Sequence, residues 1–67
     1  MSVSDVLEKK EKMNILDLPA GNVFWDITGV KWLRGRKDGY LVHAECETGK
    51  RDTFATVATV WVDKELL

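Results

Sequence analysis

One cysteine, one histidine and one proline are all that 67 residues contain of these types, and each scarcity excludes something. With Cys46 alone, no disulfide can form within the chain. His43, the only histidine, lies three positions away, and on an alternating strand the two would point to opposite faces with no second Cys or His to join them. A tetrahedral metal site and a Cys–His nucleophilic pair are both excluded on that ground. No glycine pattern matches a phosphate loop or a dinucleotide fingerprint. No apolar run approaches the roughly 18 residues of a membrane span, and the first residues lack the apolar core of a signal peptide. These absences predict a cytoplasmic protein that is not an enzyme, with no cofactor, no metal, no small-molecule substrate and no membrane partner. A reducing compartment suits a lone thiol.

Charge of one sign is also missing. Ten lysines and arginines face eleven acids, for a net charge of −1, so wholesale binding of a polyanion is not indicated. The distribution is uneven. Residues 23–39 carry Lys31, Arg34, Arg36 and Lys37 against only Asp26 and Asp38, whereas residues 1–22 and 40–67 are each net acidic.

The length predicts a single small domain over 1–67. Such a chain buries only about 60% of the surface it exposes when unfolded, and domains this size commonly add a metal, a disulfide or a partner subunit. "SVSDVLEKKEKM" reads as a short helix within 1–13, capped by Ser2 or Ser4, with Val3, Val6, Leu7 and Met13 as a narrow apolar stripe. Residues 14–22 form a loop crossing: "PAGN" is turn chemistry, and Ile15, Leu16 and Leu18 are its apolar anchors.

From Val23 the pattern becomes β. An antiparallel sheet is expected over 23–62, with 63–67 as a tail. Val23, Trp25 and Ile27 alternate with Phe24, Asp26 and Thr28, then the phase changes at Val30 and Trp32. A bulge at Thr28-Gly29 would turn Val23, Trp25, Ile27, Val30 and Trp32 to one side, leaving Phe24 on the other. "RGRKDG" reads as a turn. "YLVHAECE" alternates, with Tyr40, Val42, Ala44 and Cys46 on the inner side, which would set Trp32 near Tyr40 and Trp25 near Cys46. "DTFATVATVWV" reads as one long third strand, rich in β-branched residues and apolar on both sides.

The expected architecture is mainly β: a short N-terminal α-helix followed by a strongly bent antiparallel β-meander. That layout resembles the small-barrel group, SH3-like, Sm-like or OB-like, as a barrel or half-barrel. The resemblance is one of architecture and carries no functional residues with it.

Two functions are expected from different classes. The first is a non-enzymatic interaction module, an inhibitor, adaptor or accessory subunit, that binds a protein partner or forms a homo-oligomer. Its surface would be the two-sided apolar strand, through Val60, Trp61 and Val62, together with Phe24 of the first strand. The alternative is a small nucleic-acid-binding protein. It would use the basic 31–37 turn and its aromatics: Lys31, Trp32, Arg34, Arg36, Lys37 and Tyr40. Core packing is the competing role for Trp25 and Trp32, because a small domain needs the 150–250 Å² that each large aromatic can bury.

Overall fold

The computed structural model describes residues 7–64. Six strands, β1 (Lys10–Asn14), β2 (Val23–Trp25), β3 (Lys31–Asp38), β4 (Leu41–Cys46), β5 (Arg51–Ala55) and β6 (Thr59–Asp63), form one antiparallel sheet in the order β1-β6-β2-β3-β4-β5. Strands β2 to β5 are consecutive hairpins. β6 departs from that meander and pairs back with β2 on one side and β1 on the other. The link from β5 to β6 is only residues 56–58, yet the two strands are not neighbours in the sheet. The sheet must therefore curl until its far edge approaches β2, and it does so as a half-barrel. Phe54 of β5 meets Phe24 of β2 edge-on at 5.2 Å and Trp32 of β3 at 5.3 Å across the inside of the curl.

Period-two alternation fills that interior. Phe24, Trp32, Val42, Ala44, Val60 and Val62 are buried, and Ile15 and Leu18 join them from the crossing between β1 and β2. A 3-10 turn at Ile15–Asp17 holds this plug: Asn14 caps it by accepting from the Leu16 N–H, and the Ile15 N–H donates to the Ala58 carbonyl at 3.0 Å. Leu16 itself points outward.

Four sequence expectations need correction. The helix expected within 1–13 does not reach Met13: among the described residues only Leu7 and Glu8 are helical, Lys10–Asn14 is strand β1, and residues 1–6 lie outside the described residues. A helix of about ten residues is marginal alone, whereas β1 gains a full backbone ladder with β6 and puts Met13 opposite Val60. The bulged strand over 23–32 is in fact a β2–β3 hairpin with its turn at Asp26–Val30. Phe24 and Trp32 face inward, while Trp25 faces outward and Ile27 and Val30 are exposed at the turn. Gly29 does hold positive φ, at 82°, as a residue in the bend rather than in a bulge.

The third correction is that "RGRKDG" is the second half of β3, and the chain reverses at Gly39-Tyr40. Register slips between Arg34 and Lys37, beside Gly35, whose absent side chain lets the backbone approach His43: a Cβ there would sit 3.0 Å from the His43 carbonyl oxygen. Tyr40 is consequently exposed, and Trp32 pairs with Cys46 instead. Fourth, the long last strand is broken by the turn over 56–58 into β5 and β6. Its residues look apolar on both sides because the two halves pair with different strands and serve different parts of one core.

Candidate functional site

The hairpin phase decides which tryptophan does what. Asp26 governs it. One carboxylate oxygen accepts from the Thr28 N–H at 2.8 Å, the Thr28 hydroxyl and the Val30 N–H at 3.0 Å. The other accepts from the Trp32 indole N–H at 2.9 Å. Burial works to raise the Asp26 pKa, but the bonds from Thr28, Trp32 and Val30 outweigh it and hold the carboxyl below its ordinary range. Trp32 is thus a core residue whose one polar atom is satisfied, not a platform open to a ligand.

With Phe24, Val60 and Val62 inside, alternation sends Trp25 and Trp61 to the outer face. They are direct neighbours across β2 and β6. Lys12 pairs with Trp61 from β1, and Lys31 pairs with Trp25 from β3. The result is one row across four strands, Lys12–Trp61–Trp25–Lys31. Ammonium groups lie over both rings: Lys10 is 3.8 Å and Lys31 5.6 Å from the Trp25 ring centre, and Lys12 is 5.9 Å from that of Trp61. Lys10 is ion-paired to Asp63, its register partner, and Lys31 lies 3.5 Å from Glu47. Both rings are half-buried. Beyond Lys31 the outer face turns acidic, with Glu45 and Glu47 lining the shallow groove beside Leu33.

The residues singled out in the sequence are dispersed. Of the interface set, Phe24, Val60 and Val62 are core residues with no surface to offer, and Trp61 alone lies on the outer face. Of the basic set, Lys31 joins the row. Arg34 is buried, donating to the Gly35 carbonyl at 2.7 Å and toward the Ile15 carbonyl at 3.5 Å, so its charge ties the 3-10 turn to β3 instead of reaching solvent. Arg36, Lys37 and Tyr40 are exposed at the far end of β3, well away from the tryptophans. Cys46 packs at the core margin with its sulfur 2.9 Å from the Thr48 hydroxyl; that bond lowers its pKa. His43 lies 3.6 Å from Asp38.

Lys10, Lys12 and the outward Trp25 are missing from both sequence-derived sets. The signal for them is present: K-E-K-M alternates with period two, and D-I-T-G is the pattern of an aspartate that bonds its own turn. Compared with family models, with characterised proteins and with solved structures, the chain finds no match.

Proposed function

We propose that this chain is a small non-enzymatic binding module of the bent-barrel kind, SH3-, Sm- or OB-like in layout, whose outer face takes single-stranded nucleic acid. The carrying observation is the row Lys12–Trp61–Trp25–Lys31. Single-strand binders pair aromatic rings, on which bases stack, with cations that track the phosphates; each stack contributes about 1–3 kcal/mol. Two adjacent tryptophans bounded by lysines meet both needs. Among the described residues no helix is long and apolar enough to cross a membrane; the proposed location is the cytoplasm, because a reducing compartment suits the lone thiol of Cys46.

A protein partner or a second copy is the other reading. It is favoured by Tyr40 and Val57, which are both largely exposed and sit together where the Thr56 N–H donates to the Tyr40 carbonyl.

Titration of intrinsic fluorescence with oligo(dT) at low salt separates the two. Trp61→Ala is expected to weaken binding by about 1–3 kcal/mol, roughly five- to 150-fold, while the variant stays folded. A wild-type protein that does not respond to any single-stranded oligonucleotide, but sediments as an assembly sensitive to Tyr40→Lys, would transfer the proposal to the protein partner.

A further inference from the structure

We infer that Lys10 and Asp63 form a latch over Trp25, so that one of the two stacking positions is closed in the free protein; this rests on the nucleic-acid reading above. The two tryptophans are not equivalent. Lys12 stands 5.9 Å from the Trp61 ring centre and has no carboxylate within ion-pair distance among the described residues. Lys10 lies 3.8 Å from the Trp25 ring centre, its side chain is only 15% exposed, and Asp63 grips its ammonium from the next strand. An amine held this close occupies the surface a base would use. Asp63, 47% exposed, also places a negative charge where a phosphate would have to pass.

Stacking on Trp25 therefore requires Lys10 to leave the ring and Asp63 to release it. Once free, the Lys10 ammonium can bind the phosphate of the incoming nucleotide. Trp61 is the first contact and Trp25 the gated second one. The latch makes a short ligand, which reaches only one ring, bind without opening it, whereas a longer strand must open it to gain the second stack.

The test is Asp63→Asn, read in two ways. Acrylamide is a neutral quencher, so its access to tryptophan reports the ring cover without a charge effect. Asp63→Asn is expected to raise the Stern–Volmer constant of the free protein, as is Lys10→Ala, with the urea midpoint measured alongside to exclude unfolding. Raising sodium chloride on the wild-type protein should move quenching the same way, because screening loosens the pair. In titrations with oligo(dT), Asp63→Asn is expected to bind about two- to fivefold more tightly, the size of a cation–π contact. Glu47→Gln is the control for simple loss of a negative charge on the same face. Unchanged quenching in Asp63→Asn and in high salt overturns the latch, even if affinity rises as it does in Glu47→Gln. Raised quenching with no oligonucleotide binding by any form keeps the latch and removes the nucleic-acid reading instead.

Discussion

Trp32 and Trp25 stand seven residues apart on neighbouring strands and have opposite surroundings. Trp32 is 6% exposed, stacked edge-on against Phe54, with its indole N–H given to Asp26. Trp25 is half-buried beneath two lysine ammonium groups and beside a second tryptophan. The residue type is the same; the difference is which side of a curled sheet each occupies. On the inside, the aromatic body replaces water with Phe24, Phe54 and Val42, and its single polar atom must find a partner. On the outside, the ring offers a π-face that a cation or a base can share. A tryptophan read from sequence is therefore a large apolar area of unassigned use, and the strand phase assigns it.

The largest expected effect comes from removing each ring. Trp32→Ala should cost about 3–5 kcal/mol, since truncating a buried aromatic loses its transfer free energy and leaves a cavity. In a domain this small, that approaches the whole stability. Trp61→Ala removes a ring from the outer face and should cost no more than about 1 kcal/mol. Urea denaturation checks both. Equal losses at the two positions would mean that the outer ring is structural, and the comparison between the faces would fail.

Asp26 joins the two faces, because the turn it closes sets the phase of β2 against β3. Asp26→Asn keeps one oxygen for the Thr28 and Val30 N–H groups, but its amide nitrogen then faces the Trp32 indole N–H, donor against donor. A loss of about 1–2 kcal/mol is expected from that unsatisfied group. The pH dependence follows from the direction of the shift. The folded-state pKa of Asp26 is lowered from 3.8, so its contribution is present above that unfolded value and is lost as pH falls through the lower folded one. Wild-type stability should therefore decline in the acid range below about pH 4, and Asp26→Asn should flatten that part of the curve. Thermal melts across the acid range would show an unaltered slope if Asp26 were merely a solvated carboxylate.

How much of this could be read without coordinates depends on how local the cause is. The mainly-β, strongly bent sheet was legible, and so was the inner face of β4 at Val42, Ala44 and Cys46, because clean alternation needs only neighbours in sequence. Of the two glycines in RGRKDG that a turn would free for positive φ, Gly39 takes it and Gly35, inside β3, does not. The phase of Trp25 was not legible by the same rule, because a bulge and a tight turn each flip alternation by one residue. Only the bonds from Thr28, Val30 and Trp32 to Asp26 tell them apart. β1 was read as helix because lysine and glutamate favour helix locally. It becomes a strand because β6, some fifty residues later, supplies a ladder. The division of the last apolar run into β5 and β6 is likewise a long-range fact. Each segment finds a different partner, and nothing within the run announces it.

The smallest expected effect separates the row from the basic segment that first suggested nucleic acid. Lys12 flanks Trp61 in the row, whereas Arg36 and Lys37 lie at the other end of β3. If phosphates follow the row, Lys12→Ala should weaken oligo(dT) binding modestly and reduce the salt slope by about one contact, because each neutralised phosphate releases condensed counterion in proportion. The double substitution Arg36→Ala with Lys37→Ala removes twice the charge yet should leave that slope nearly unchanged. Net charge alone predicts the reverse order, since a diffuse field counts charges wherever they sit and the double variant changes it more. The two variants thus oppose a placed contact to a general attraction, and affinity measured at several salt concentrations distinguishes them. A flatter slope in the double variant than in Lys12→Ala would move the binding path from the tryptophan row to the far end of β3, where Tyr40 is the exposed aromatic.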